Sequence, residues 1–160
     1  MKNLILIFLV VFTIGCNDND DQLVTPIPFT PVTITPTLIS KKNNLSASVG
    51  IIEQKTIFNE SISWNLMLNQ IETYYQPNIS FLTQFFSETN VDFTNYTVIA
   101  VFDKVYGNGG HSIDITNITE YENNIVVTVE NLLTGNANSV VTQPYHIVKI
   151  PKATKPIVFQ

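Results

Sequence analysis

The chain has 160 residues and a net charge of −5 at neutral pH, and its eight basic residues are all lysines. Binding to nucleic acid or phosphate normally relies on arginine and on basic patches, so we exclude nucleic acid as a partner. Cys16 is the only cysteine, which excludes a disulfide and a thiolate metal site within this chain.

The N-terminus has the pattern of a signal peptide. A basic start precedes an apolar run, Leu4–Ile14, and Gly15 stands before Cys16. The run is shorter than the roughly 20 residues that cross a bilayer as a helix. The segment Thr13-Ile14-Gly15-Cys16 resembles the lipobox of bacterial lipoproteins, in which the cysteine is acylated after cleavage. We predict a signal peptide at residues 1–15 and a lipid on Cys16 that anchors the chain to the outer membrane; the alternative is an ordinary secretory signal.

An acidic cluster and a proline-rich stretch follow. Asn17–Asp21 resembles the signal that sends some Bacteroidetes lipoproteins to the cell surface, and a solvated spacer is the alternative. Thr-Pro recurs between Thr25 and Thr37, which favours extended backbone because proline fixes φ and lacks an N–H. We therefore predict a tether at residues 16–37 and a globular domain at residues 38–160.

One helix is predicted after a strand at Ile51–Phe58. Asn59 or Ser61 can cap it, and Pro77 ends it. Its apolar stripe has helical spacing and consists of Trp64, Met67, Leu68, Ile71 and Tyr75. A short helical turn is expected within Ile79–Phe86.

The second half of the chain has the period of two that strands show. Thr97–Val105 is apolar on both faces, which predicts a central strand. Further strands are predicted at His111–Ile118, Ile125–Val129, Tyr145–Ile150 and Ile157–Phe159. Short connections favour antiparallel neighbours. The expected fold is α+β, mostly β: an antiparallel sheet meander with one packed helix.

Neither a catalytic site nor a metal site is predicted. The glycines at 107, 109 and 110 precede a strand instead of opening a helix, so a turn is favoured over a phosphate cradle. His111 and His146 have no further ligand at a metal spacing, and His146 reads as a partly buried, hydrogen-bonded histidine. The chain has no Gly-x-Ser-x-Gly elbow. We predict a non-enzymatic protein with no cofactor.

Three short motifs carry a resemblance to a known family. They are Val91-Asp92-Phe93, Gly109-Gly110-His111-Ser112-Ile113 and the segment from Pro144 to Pro151. In this order they resemble the C-terminal domain of PrcB-type lipoproteins over about residues 91–158, although that family usually carries an aromatic residue where His111 stands. The resemblance implies an accessory subunit that binds and stabilises a protease complex. The glycine motif is also similar to a loop of chagasin-like protease inhibitors.

The predicted binding surface is the turn from Gly107 to Ser112 with the segment before Tyr145 beside it. Loops on a rigid sheet carry binding more often than strands do, because their side chains are not committed to a core. Asn108, His111 and Ser112 are the polar groups available to a partner if they face solvent, and the alternative is that the glycines simply permit positive φ in a hairpin. The candidate residues are Asn108, Gly109, Gly110, His111, Ser112, Pro144 and Tyr145. A protease is the expected partner, either stabilised or inhibited, and a surface module for glycans or host proteins is the third hypothesis.

Overall fold

The computed structural model describes residues 28–76 and 80–160. The predicted signal peptide, Cys16, the acidic cluster and Pro77 lie outside these ranges. The helices are α1 (Ser61–Tyr75) and α2 (Phe81–Phe85), and a 3-10 helix spans Ala47–Val49. The strands are β1 (Val32–Thr33), β2 (Thr37–Leu45), β3 (Gln54–Phe58), β4 (Tyr96–Phe102), β5 (Asp114–Glu120), β6 (Ile125–Glu130), β7 (Gln143–Pro151) and β8 (Ile157–Phe159). Among the described residues, no helix is long and apolar enough to cross a membrane.

The strands form two four-stranded sheets. The inner sheet has the order β2-β7-β4-β3, and the outer sheet has the order β1-β5-β6-β8. Neighbouring strands are antiparallel except β6 and β8, which are parallel. The predicted α+β, mostly-β class is confirmed. The strand order is not that of a simple meander. The sequence could not indicate this, because alternating apolar residues determine which face of a strand is buried and not which strand lies beside it.

The inner sheet is buried on both faces. On β4, Val98, Ala100 and Phe102 pack toward the helices, while Ile99 and Val101 pack toward the outer sheet. β4 lies between β7 and β3, so the predicted central strand is confirmed. Each fully buried aliphatic side chain contributes roughly 1.5–3 kcal/mol, and the layers are held together mainly by this burial.

Helix α1 buries the predicted stripe. Trp64, Met67, Leu68 and Ile71 are buried, and Trp64 Nε1 donates a hydrogen bond to the carbonyl of Thr89 at 2.7 Å. The predicted cap is wrong. Glu60 occupies the N-cap position without a side-chain hydrogen bond to the helix. Asn59 does not cap the helix, because its side-chain oxygen accepts a hydrogen bond from Thr97 Oγ1 at 2.8 Å.

The folded domain begins earlier than predicted. Val32 and Thr33 pair with β5, and Ile34 packs against the core between the two sheets. The tether predicted at residues 16–37 is therefore wrong from residue 32 onward. The prolines at 31 and 36 flank an edge strand, where their missing N–H groups cost no hydrogen bond of the ladder.

The strand directions define two opposite ends of the molecule. We call residues 103–113 and 131–142 the loop end, because they follow β4 and precede β7 there. We call the region around the β5–β6 turn, residues 121–124, the tether end. Val32 pairs with Glu120, so the N-terminal segment joins the domain at the tether end. The nine residues of β7 separate the two ends by roughly 30 Å.

Candidate binding surface at the loop end

The two loops of the loop end are joined by backbone hydrogen bonds. Tyr106 and Thr142 bond to each other in both directions, at 2.8 and 3.0 Å. Gly109 donates to the carbonyl of Asn138 and accepts from the N–H of Asn136. The N–H of Ser112 donates to the carbonyl of Leu133 at 3.1 Å. The predicted closeness of the glycine turn and the segment before Tyr145 is confirmed, because Thr142 Oγ1 also donates to the carbonyl of Asn108 at 3.0 Å.

Two glycines of the loop end have backbone angles that favour glycine. Gly110 has φ of 80° and Gly135 has φ of 95°, whereas Gly107 and Gly109 do not have positive φ. A Cβ on Gly110 would lie 2.6 Å from Asn136 Nδ2. Gly110 is therefore required by the turn itself, as the structural alternative in the sequence analysis proposed.

His111 and Asn108 hold the loops together instead of facing solvent freely. The rings of His111 and Tyr106 are stacked, with centroids 3.5 Å apart and planes 9° apart. His111 Nε2 is hydrogen bonded to Asn108 Oδ1 at 3.0 Å, and Asn108 Nδ2 donates to the carbonyl of Asn136 at 2.9 Å. Both residues are only half exposed. The side chains of Asn108 and His111 are therefore committed to contacts within the loops.

Three other candidate residues are buried and cannot offer their side chains to a partner. Ser112 is buried and donates a hydrogen bond to the Asp114 carboxylate. Pro144 and its neighbour in sequence, Tyr145, are also buried. The Tyr145 hydroxyl is hydrogen bonded to Ser40 at 2.8 Å, and burial raises the pKa of Tyr145 to about 12. Tyr145 packs in the core between the inner sheet and the helices, because β7 turns this face toward α1 and α2.

A buried carboxylate, Asp103, holds the loop of residues 103–113 in place through hydrogen bonds. It accepts hydrogen bonds from the Tyr106 hydroxyl at 2.9 Å, from the N–H of Lys104 at 2.8 Å and from Asn131 Nδ2. Burial, and then the hydrogen bond to Asp103, raise the pKa of Tyr106 to about 12. Asn131 also donates to the carbonyl of Ser112 at 2.8 Å, which ties the second loop to the first.

A second buried carboxylate, Asp114 at the start of β5, is hydrogen bonded to Lys41 on β2 and to Ser112 in the loop end. Burial raises the pKa of Asp114, but hydrogen bonds from Lys41 and Ser112 outweigh it, so the pKa lies below its usual value. His146 Nδ1 accepts the N–H of Ile115 at 2.9 Å. Burial, and then the charge of Lys41, lower the pKa of His146 to about 4. The predicted buried, hydrogen-bonded histidine is confirmed.

The two loops also carry five exposed aliphatic side chains that the sequence analysis missed. Their exposed fractions lie between 46% and 62%. We call them the aliphatic rim: Val105, Leu132, Leu133, Val140 and Val141. The doublets Leu132-Leu133 and Val140-Val141 lie outside the predicted strands. Two apolar pairs in a segment without a strand pattern were the feature of the sequence that could have indicated this exposed surface. Exposed apolar groups that concentrate in one region mark sites of protein association, whereas scattered ones do not.

Ser112 is buried against a carboxylate, and the Nδ1 atom of His146 is occupied by a backbone N–H. Within residues 28–76 and 80–160, no three His, Cys, Asp or Glu side chains converge as metal ligands.

Comparison of the chain with models of protein families, with curated proteins and with solved structures finds no significant match. The resemblance to PrcB-type lipoproteins stays a prediction based on its three motifs.

Proposed function

We propose that this chain is a lipid-anchored, non-catalytic lipoprotein whose loop end binds a protease complex at the cell envelope and stabilises it. The aliphatic rim carries the proposal, because five exposed aliphatic side chains stand on two loops that are bonded to one another. The signal-peptide pattern and Cys16 support the anchor. The three motifs that resemble PrcB-type lipoproteins support a protease as the partner.

Rigid loops favour binding because little freedom is lost on association. Ordering a flexible, rotamer-rich side chain at an interface costs roughly 0.5–1.5 kcal/mol. Here the backbone bonds of Tyr106, Gly109 and Ser112, with the stacked ring of His111, fix the loops before a partner arrives. The aliphatic rim can then bury apolar surface against the partner, which stabilises the complex by about 25 cal/mol per Å² buried.

The position of the tether suits this role. The N-terminal segment joins the domain at the tether end, next to Glu120, and the aliphatic rim lies at the other end of the strands. A chain anchored through Cys16 would therefore present the loop end on the side away from its attachment point.

Co-purification from the producing bacterium tests the proposal. The full chain is tagged and compared with a variant that carries Leu132→Asp and Val141→Asp in the aliphatic rim. The matched control carries Ile62→Asp and Leu66→Asp, because these α1 residues are equally exposed at 69% and 66%. We expect a protease to co-purify with the unmodified chain and with the control, and to be lost from the rim variant. No protease above the level of an unrelated lipoprotein, or full retention by the rim variant, would contradict the proposal.

An inhibitor is the second candidate, because two adjacent loops project from one end of a two-sheet domain, as in chagasin-like inhibitors. Adding the purified chain to papain and to subtilisin distinguishes the two roles. An inhibitor lowers the protease activity at micromolar concentration and loses this effect with the rim substitutions. A stabilising subunit leaves these enzymes active, and that result removes the inhibitor candidate for both enzyme classes.

A further inference from the structure

A cleft of about 550 Å³ opens at the tether end, far from the aliphatic rim. The N-terminal segment forms one wall with Phe29 and Pro31, and the β5–β6 turn forms the other with residues 121–124. Gln160 also lines the cleft. The backbone of the turn is fixed, since the N–H of Tyr121 donates to the carbonyl of Asn124 at 2.8 Å. The cleft is thus built on a sheet edge and a tight turn.

The walls combine exposed aromatic rings with free amides. Phe29 and Tyr121 are 40% and 42% exposed, one on each side of the cleft. Among the described residues, the side-chain amides of Asn123 and Asn124 take part in no hydrogen bond, whereas the Gln160 amide donates to Thr128 Oγ1 at 3.0 Å. An amide presents a donor and an acceptor side by side, which matches two adjacent hydroxyls of a sugar ring. An aromatic face packs against the apolar C–H face of the same ring.

Lys155 holds the two walls in place. Its Nζ lies 4.3 Å from the centroid of the Phe29 ring, donates to the carbonyl of Tyr121 at 2.7 Å and pairs with Glu120 at 2.6 Å. Its charge is therefore matched by Glu120, while Glu122 leaves a carboxylate in the cleft. Glu122 forms no ion pair among the described residues, so its carboxylate disfavours an anionic ligand, and the amides of Asn123 and Asn124 favour a ligand rich in hydroxyls.

We propose that this cleft binds a neutral oligosaccharide. Tyr121 and Phe29 contact the faces of the sugar rings, and the side-chain amides of Asn123 and Asn124 form hydrogen bonds with the hydroxyls. Lys155 is a positioning residue that keeps the two walls at a fixed separation. This site is independent of the loop end, so either proposal can fail without the other.

Titration calorimetry of the full-length chain tests the site, in a detergent without a sugar headgroup. The probes are cellohexaose, maltohexaose and chitohexaose, which differ in linkage and substituents. We expect saturable binding of at least one probe and a roughly tenfold loss of affinity in Tyr121→Ala, as for an aromatic residue that dominates a contact. Tyr121→Phe should restore the affinity because the ring face is kept. Tyr74→Ala is the matched control, since Tyr74 is exposed on α1.

Amide chemical shifts locate the binding site, and changes are expected at residues 29 and 121–124. Asn123→Ala provides a second variant, because the Asn123 side chain makes no hydrogen bond within the described residues. The absence of binding for all three probes at about 1 mM would overturn the proposal. Equal affinity of the Tyr121→Ala variant, or shift changes confined to other regions, would also overturn it.

Discussion

Gly135 and His111 meet closely at the loop end, so a change at either residue should affect both the loops and the stability of the domain. Gly135 has φ of 95°, and a Cβ there would collide with the His111 ring and lie 2.8 Å from Asn108 Nδ2. The ring in turn stacks on Tyr106. Sequence spacing alone did not reveal this packing, because His111 and Gly135 come from different loops.

We predict that Gly135→Ala and His111→Ala are destabilising and non-additive. Gly135→Ala should cost about 2 kcal/mol or more, because it adds backbone strain and a collision. His111→Ala should cost about 1–2 kcal/mol, through the lost stacking and hydrogen bond. The double variant should be less destabilised than the sum by at least about 0.5 kcal/mol, since removing the ring relieves the collision. Urea unfolding of the four proteins measures this coupling, and strict additivity would disprove the contact.

A second prediction concerns pH and His146. The pKa of His146 is about 4 in the folded state, against 6.5 for an unperturbed histidine, because burial and Lys41 disfavour the charged ring while Asp114 partly opposes them. The unfolded chain therefore binds more protons between these two values. The contribution of His146 to stability is complete above pH 6.5 and is lost as the pH falls toward 4, a total on the order of 3 kcal/mol.

Replacing His146 by an uncharged acceptor should remove this dependence. Asn in His146→Asn can still accept the N–H of Ile115 but does not titrate between pH 4 and 7. The free energy of unfolding of the variant should fall less steeply than that of the unmodified chain over this interval. Identical slopes for the His146→Asn variant and the unmodified chain would contradict the prediction.

At the scale of single residues, the sequence predicted His146 correctly and Tyr145 incorrectly. The period of two placed His146 on the face of Val148 and Ile150, which is local information. The burial of the Tyr145 hydroxyl depends on Ser40, which lies 105 residues earlier in the chain. No local pattern indicates such a partner, so Tyr145 was predicted to take part in binding.

Helix α1 shows which signals an element carries in its own sequence. The buried stripe was predictable because its spacing follows the helix period. The cap was not, because Asn59 bonds to Thr97 on β4, and this competition involves a distant strand. Glu60 is left at the N-cap position with extended backbone and no side-chain cap bond.

We predict that Glu60→Asp stabilises the domain by about 0.5–1 kcal/mol. The shorter side chain of aspartate reaches the N–H groups of the first helical turn, which glutamate caps poorly. Thermal unfolding of the two proteins measures the difference. Glu60→Gln is the control, because it changes the charge without shortening the side chain. A lower melting temperature for Glu60→Asp than for the unmodified chain would contradict the expectation.

The strands differ in how well they could be predicted. The strands from β4 onward alternate regularly or are wholly apolar, and they were found. β2 was missed, because register shifts between Leu38 and Ser40 and between Lys42 and Leu45 interrupt its period of two. Ile39 and Ser40 are both buried as a result, which no alternating pattern reproduces. β1 is only two residues long and depends on β5 for its partner.

At the scale of the whole molecule, the class of the fold was predictable and its strand order was not. Composition and periodicity indicate strands around one main helix, whereas the pairing of β2 with β7 and of β6 with β8 joins distant parts of the chain. The loop end likewise combines a feature that is visible locally with one that depends on distant parts of the chain. Its glycine turn was visible in the sequence, and the aliphatic rim emerged only when the two loops were seen together.

The position of β1 leads to a prediction about the anchor. Cys16→Ala should move the protein out of the membrane fraction without changing the melting temperature, since Cys16 precedes the first strand by many residues. Removal of all residues through Pro36 should lower the free energy of unfolding by about 1–3 kcal/mol, because it deletes β1 and the packing of Ile34. The melting temperature should fall accordingly. Fractionation and thermal unfolding measure the two effects. Equal melting temperatures for the truncated and the full chain would show that β1 adds no stability.

Site-specific photo-crosslinking in the producing bacterium shows whether the loop end contacts a protease. A photo-reactive phenylalanine analogue is placed at Leu132 or Val140 in the aliphatic rim, and at Leu66 or Val158 as exposed controls. We expect adducts that contain a protease, or a subunit of its complex, from the two rim positions and not from the controls. Protease adducts from Leu66 or Val158 alone, or from none of the four positions, would contradict it.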